Sequence, residues 1–309
     1  YFLMVMLNPV QHPIAILMMR RLNEDVDMLD IFKRLVEIPG GSGFEEEVIK
    51  AVSAELRKRI PDVSVDPMGN VIGKLGTGKR SVMICVHTDE VGLLVKYIDE
   101  KGYLYFDFNG MIDERVLLST KVDICSEKGT HTGVVGVKSR HLMTAEDLKR
   151  PISISELWID VGAESAEEVR GRGIEIGDPI VFHPNFQSIG AETIISKAID
   201  NRAGCAILIN LGERMKEEKI DYQLFLVAAV QEEVGSRGAK VVAQSIGPDV
   251  AIVVDTVPAG DPMTPPQQAT AERGKGPVMR SMDVNAQGWG TIYSKKIRQN
   301  LVATAVRHG

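Results

Sequence analysis

The sequence predicts an α/β fold: a mostly parallel, mixed sheet with helices on both faces, interrupted by a small all-β insert. Three observations carry this. Apolar strand-like runs alternate with helical patterns towards both ends of the chain, as in a parallel sheet wrapped by helices. From about Val91 to Phe182 the texture changes. Short runs (LLVKYI, YLYFDF, VDIC, GVVGV, ISELWIDVG, PIVFHP) follow one another with glycines and charged turns between them. The composition is that of a folded chain: 309 residues, 44% hydrophobic and 25% charged, enough for a large core and about two domains.

Taken in order, Tyr1 to Met19 is apolar and is followed by Arg20 and Arg21. Pro9 and Pro13 break it, and its positive charges lie on the wrong side for a secretion signal, so it reads as an N-terminal extension over 1–18 that packs as an arm. Asn23 to Arg34 reads as a helix, with Leu29, Ile31, Phe32 and Leu35 on one side. A turn follows at Pro39-Gly40-Gly41-Ser42-Gly43. Phe44 to Arg59 then shows helical spacing at Val48, Ile49, Val52, Ala54 and Leu56. Val63 to Val65, Val71 to Lys74 and Ser81 to Val86 read as short strands. The β insert contains one helical piece near Ala145 to Lys149. Beyond Thr193, Arg202 to Glu217 reads as helix, Gln223 to Val230 as a buried strand, Arg237 to Ser245 as helix and Val250 to Asp255 as a strand. Asp261 to Arg273 is a loop. The α/β part therefore spans 19–91 and 182–309, with residues 92–181 inserted.

The formal net charge is −6, which provides no basic footprint for nucleic acid. Ala271 to Gly309 holds seven Lys/Arg against Glu272 and Asp283 and reads as a solvated helix face. No stretch suits a membrane helix. Cys85, Cys125 and Cys205 are too few and too scattered for a disulfide framework or a zinc motif. Cys85 and Cys205 read as small buried hydrophobes. This usage fits a reducing, cytoplasmic compartment.

In open α/β sheets, ligands bind beyond the carboxyl ends of the strands. The run SVMICV ends in His87-Thr88-Asp89-Glu90, YQLFLVAAV in Gln231-Glu232-Glu233, and VAIVV in Asp255. Asp200 precedes the helix beginning near Asn201. Each has a plain reading: His87 as a structural ring, Asp200 as an N-cap, Glu232 and Glu233 as a solvated strand end, Asp255 as the start of a turn. Carboxylates gathered at a buried sheet end repel one another, however, and a cation relieves that repulsion. Imidazole nitrogen and carboxylate oxygen are ligands that zinc accepts. Two metals about 3.5–4 Å apart need a bridging ligand, which a carboxylate supplies naturally. A ligating imidazole needs a partner to orient it, and a nearby unligated Glu can take a proton from water. No GxSxG elbow, HExxH helix or Walker A loop offers another chemistry.

Six ordered motifs carry a resemblance: PGGSGFEEEV (39–48), VHTDEVG (86–92), KAIDNRAG (197–204), QEEVGSRGA (231–239), VVDT (253–256) and GKGPV (274–278). The set resembles the M42 family of metallo-aminopeptidases, from about Leu29 to about Met282. The resemblance implies a dinuclear-metal aminopeptidase that releases N-terminal residues from short peptides, with two divalent ions, zinc or cobalt, per subunit. It implies that His87 and Asp255 bind one metal, Asp200 bridges both and Glu233 binds the second. Glu232 would be the general base, and Asp89 would orient His87. Residues 92–181 would be the family's inserted dimerisation domain, and the chain would self-associate into dimers and twelve-subunit shells. The family's last His ligand, expected downstream of GKGPV, has no counterpart before AVRHG (305–309), so the chain reads as truncated against the family. His12, His131, His141 and His183 read as surface or insert residues.

Two rival readings remain at this stage. Some relatives carry an endoglucanase label, and Glu232 with Asp89 would then flank a sugar bond. That role gives His87, Asp200 and Asp255 no purpose. Alternatively, the chain is a non-catalytic shell subunit that assembles without turning over.

Overall fold

The computed structural model describes residues 15–18, 26–189, 193–268, 271–284 and 290–308. In chain order the elements are β1 (Ala15–Met18), α1 (Val26–Glu37), α2 (Glu46–Arg57), β2 (Asp62–Val65), β3 (Val71–Leu75) and β4 (Ser81–His87). Next come β5 (Gly92–Ile98), β6 (Leu104–Asn109), β7 (Lys121–Ser126), β8 (Gly129–Val137), β9 (Leu157–Asp160), α3 (Ala166–Gly171) and β10 (Pro179–Phe182). The remainder is β11 (Gln187–Ser188), β12 (Thr193–Ser196), α4 (Ile199–Met215), β13 (Gln223–Ala229), α5 (Arg237–Ile246), β14 (Val250–Val253), β15 (Met282–Val284), β16 (Gly290–Ile292) and α6 (Lys295–His308).

Five strands form the main sheet in the order β14-β4-β13-β3-β2. β4 runs parallel to β13 and to β14, whereas β3 is antiparallel to β13 and β2 to β3. The sheet is mixed, as expected, with two parallel and two antiparallel pairings rather than a parallel majority. The short link over 76–80 has no room for the helical crossover that parallel neighbours require. β13 is inserted between β3 and β4 instead. β4 is buried along most of its length because helices cover both faces. On one face α1, α2 and α4 build a core from Ile31, Leu35, Val52, Leu56, Ile84, Leu208 and Leu226, among others. On the other, Val242 of α5 packs against Met83, Cys85 and Val227. α2 shows why its sequence is helical there: Val48, Val52 and Leu56 recur at a spacing of four and are buried, with Glu46 and Glu47 in the first turn and Arg57 in the last.

The strands between Gly92 and Phe182 close into a six-stranded barrel, in the order β10-β5-β6-β9-β8-β7. It has its own core, with Leu93, Leu104, Ile124, Leu157, Ile159 and Ile180 buried inside. Sequence patterning registers separate β strands but not their closure, which depends on the pairing of β10 with both β5 and β7. The helical piece expected near Ala145 to Lys149 is a single 3-10 turn at Asp147–Lys149. α3, capped by the Ser165 side chain, was not anticipated. α4 begins three residues earlier than its periodicity suggested. Of the N-terminal extension, 1–14 lie outside the described residues, as does His12. Ala15–Met18 pair antiparallel with β12. Among the described residues no helix is long and apolar enough to cross a membrane. Cys85 and Cys205 are buried thiols, and burial pushes Cys85 up to about 12.

A buried ionic frame joins the end of β4 to the start of α4. Lys197 Nζ donates to both Glu90 oxygens, at 2.8 and 2.9 Å, with both side chains almost wholly enclosed. Burial lowers the Lys197 pKa against the pull of Glu90. The fully buried Arg202 donates from Nε to Thr88 O at 2.7 Å and from Nη1 to Ile38 O at 3.0 Å. Removing Lys197 leaves the buried Glu90 with the more distant Arg202 Nη2, at 3.5 Å, as its cation, and breaking a buried pair costs about 3–5 kcal/mol. Lys197→Met should therefore lower the urea midpoint markedly. Lys96→Met should shift it far less, because the Lys96–Asp107 pair is largely exposed. Equal midpoints for the two variants would remove the frame from the account of stability.

Candidate metal centre and active site

Parallel register sets the site. Ala229 at the end of β13 lies opposite His87 at the end of β4, and Val253 of β14 lies opposite Cys85. The three strands therefore release their chains on one side of the sheet. His87 is the last residue of β4, Gln231–Glu233 follow β13, and Asp255 sits two residues beyond β14.

α4 contributes the fourth segment. Asp200 lies in its first turn with non-helical backbone angles, and the Asp200–Asn201 peptide is cis. Asn201 anchors this start. Its Nδ2 donates to Val254 O at 2.8 Å, and its Oδ1 accepts from Gly204 N at 3.0 Å. The N-cap reading of Asp200 is replaced by this arrangement: its carboxylate turns to His87, with Oδ1 3.0 Å from Nε2.

His87 is the hub. Its Nε2 also lies 3.6 Å from Asp255 Oδ1 and 4.0 Å from Glu232 Oε2. Its Nδ1 is 3.1 Å from the backbone oxygen of Asp89 and 3.3 Å from Asp89 Oδ1. Ligand atoms of His87, Asp200 and Asp255 all fall within 4.8 Å of one another, forming a group able to hold a metal ion. Glu233 stands outside this trio, though its carboxyl is close enough to be perturbed by Asp200 and Asp89. A Cβ built on Gly110, just after β6, would come within 3.4 Å of the Glu233 Cβ and 2.8 Å of Val91 Cγ1. The barrel thus approaches the site at a position where only glycine fits, and Gly110 has φ of 100°.

The electrostatics are those of acids crowded around one imidazole. Enclosure, and then the Asp200 charge, push Asp255 up to about 7. Enclosure and Asp200 likewise hold Glu233 well above the usual carboxylate range. Burial alone would lower the His87 pKa, but Asp255 and Asp200 outweigh it and hold it well above normal. Burial would also raise Asp200, yet the hydrogen bond from His87 keeps it low. Asp89, wholly buried, is held down to about 2 against its burial by donors from His87, Ser42 and Glu232 N–H. The donor set fits a divalent cation: imidazole nitrogen and carboxylate oxygens face one another, and positive charge between them would relieve the repulsion that raises Asp255 and Glu233.

Glu232 is partly exposed. Its Oε1 accepts from Ser236 Oγ at 2.9 Å, and its backbone N–H donates to Asp89 Oδ1 at 2.9 Å. His183 lies away from the site on Asp123, and His131 beside Ser126, both in or next to the barrel strands. Sequence reasoning passed over four participants: Ser42, Glu45, Glu90 and Lys197. Each touches a site segment through a contact between residues far apart in the chain. The only signal was their place inside the motifs at 39–48, 86–92 and 197–204.

Known proteins resemble the chain along most of its length. A relative from Acetivibrio thermocellus is 38% identical over 262 residues, which cover 84% of this chain and 75% of that protein. The lysyl aminopeptidase of Pyrococcus furiosus is 35% identical over 252 residues, covering 81% of this chain and 72% of its own length. Among solved structures, the TET1 peptidase of Pyrococcus horikoshii, which can assemble into a tetrahedron or a large octahedral shell, superposes with a TM-score of 0.81. That match is at 32% identity and covers 92% of this chain and 82% of that one. An endoglucanase from Thermotoga maritima is more distant, with a TM-score of 0.68 at 28% identity over 90% of this chain and 80% of its own. The family described as M42 glutamyl aminopeptidase matches residues 69–309, which take in His87, Asp200, Glu232 and Asp255. The chain belongs to the M42 family of aminopeptidases.

Proposed function

We propose that the chain is a dinuclear-metal aminopeptidase acting on the free N-terminus of short peptides. One observation carries this: the Glu232 carboxylate lies 4.0 Å from the His87 ring, on the rim of a His87–Asp200–Asp255 group able to hold a metal, in an aminopeptidase family. His87 and Asp255 would hold one ion, Asp200 would bridge, and Glu233 would serve the second ion. When bound, two zinc or cobalt ions supply Lewis acidity towards the peptide carbonyl and the attacking water. The chain does the rest. Asp89, on Nδ1 of His87, fixes the ring so that Nε2 faces the carboxylates. Glu232 accepts the proton of the attacking water at its carboxylate and hands it to the leaving amine nitrogen. Acidic groups around the site favour the protonated α-amine of the substrate over an internal peptide segment.

The endoglucanase reading draws no support from the geometry. Two carboxylates working across a sugar bond would leave the His87–Asp200–Asp255 group without a task. The non-catalytic reading rests on the missing counterpart of the family's last His; against it, Glu232 is partly exposed and lies 4.0 Å from the His87 ring, beside the group. For the domains, we assign 19–91 and 182–309 to the catalytic part and the barrel, 92–181, to the inserted dimerisation domain. Its exposed Tyr97 and Val134 supply apolar surface for a second copy. Residues 1–18 are an extension, and a cytoplasmic location suits the three free thiols.

Glu232→Gln should keep its bound ions and lose about 10²–10⁴-fold in kcat, the range general-base removal produces. Parent-like turnover in that variant would refute the base assignment. Protein reconstituted with zinc or cobalt and desalted should hold two ions per chain by native mass spectrometry, and Asp255→Asn fewer. A single ion in the parent would reduce the site to the His87–Asp200–Asp255 group. Light scattering should give a mass that is a multiple of a dimer, and a monomer at all concentrations would overturn the role of the barrel.

A further inference from the structure

The turn between α1 and α2 holds none of the residues assigned a chemical role, yet it touches two of the segments that do. Ser42, 6% exposed, donates from Oγ to Asp89 Oδ2 at 2.6 Å. Glu45, 4% exposed, accepts the backbone N–H of Gln231 on Oε1 at 2.9 Å. The next two amides go to Asp89: Glu232 N–H to Oδ1 at 2.9 Å and Glu233 N–H to Oδ2 at 3.0 Å. Three consecutive amides of the base-bearing turn are therefore bound by two buried carboxylates.

The turn needs this support. Gln231 has φ of 54° and Ser236 the same value, a region that residues with a Cβ seldom adopt. The α1–α2 turn can give the support because it is itself fixed. Gly40 N–H donates to Glu90 Oε1 at 3.2 Å, Glu90 N–H returns to Gly40 O at 3.0 Å, and Asn109 Nδ2 from the barrel donates to Ser42 O at 2.9 Å. A buried carboxylate is a costly way to fill space. An apolar side chain at position 45 would pack as well and bind no amide.

We propose that Ser42 and Glu45 are positioning residues of the active site, holding the Gln231–Glu233 turn so that the Glu232 carboxylate faces His87. The inference rests on the reading of Glu232 as the general base. A positioned base acts in the transition state, so its misplacement lowers kcat and leaves KM unchanged. Supporting contacts of this kind are worth about 10–100-fold in activity.

The test measures kcat, KM, ions bound per chain and circular dichroism for metal-loaded Glu45→Leu, Glu45→Gln and Ser42→Ala, with Glu232→Gln in parallel. Glu45→Leu should lose about 10–100-fold in kcat at constant KM and metal content. Glu45→Gln should recover most of it, because its amide oxygen still accepts the Gln231 N–H. Ser42→Ala should shift in the same direction by less. If Glu232→Gln is inactive while Glu45→Leu and Ser42→Ala turn over like the parent, the inference alone fails. If Glu232→Gln is active, the base assignment fails instead, and the inference with it. Losses that merely track the fraction of folded protein, in Glu45→Gln and Ser42→Ala alike, overturn positioning in favour of stability.

Discussion

Asp89 is wholly buried, and its two oxygens bind donors from two distant parts of the chain while Oδ1 faces a third group. Ser42 reaches it from the α1–α2 turn, the Glu232 and Glu233 amides from the turn after β13, and His87 Nδ1 from the end of β4. A carboxylate out of water is stable only when donors replace its hydration. Here those donors are the parts that must meet for a site to exist. Satisfying Asp89 and assembling the site are one event, and its low pKa records how completely the donors succeed.

Around that anchor the fold supplies two kinds of rigidity. Parallel pairing of β4 with β13 and β14 delivers three strand ends at one level. The Lys197–Glu90 pair and the Arg202 contacts then lock α4 to β4 and to the end of α1. α4 can thereby present Asp200 from a non-helical first turn without losing its footing. The barrel, with a separate core, closes against this frame through Asn109 and the glycine at 110. A group of mutually repelling acids able to hold a metal ion is kept together here by a frame of buried ion pairs and hydrogen bonds.

Much of this was legible in the chain. The apolar runs ending in His87, Glu232–Glu233 and Asp255 stated where strands stop and polar groups begin. An α/β sheet then puts those ends together. The structure gathers His87, Asp200 and Asp255, with Glu232 at the rim. Asp89 beside His87 was placed by the resemblance at 86–92, which implied that it orients the ring. Ser42 and Glu45 could not, since their partners lie 47 and 186 residues away and a Ser or Glu in a glycine-rich turn looks like ordinary surface. Lys197 and Glu90 were obscure for the same reason: nothing local tells a buried charge from a solvated one.

By itself the sequence determined most of the elements and the chemistry they can offer. Periodicity and turn residues act over a few positions, and a residue type carries its ligand atoms wherever it lies. Tertiary structure alone decided the antiparallel half of the sheet, the closure of the barrel, the turning of Asp200 from cap to imidazole partner, and the separation of Glu233 from the central trio. Each of these depends on which distant segments come into register. That choice comes from burying apolar side chains on both faces of the sheet and inside the barrel while giving buried charges such as Lys197, Glu90 and Asp89 their partners. It is a property of the whole chain that no window of sequence contains.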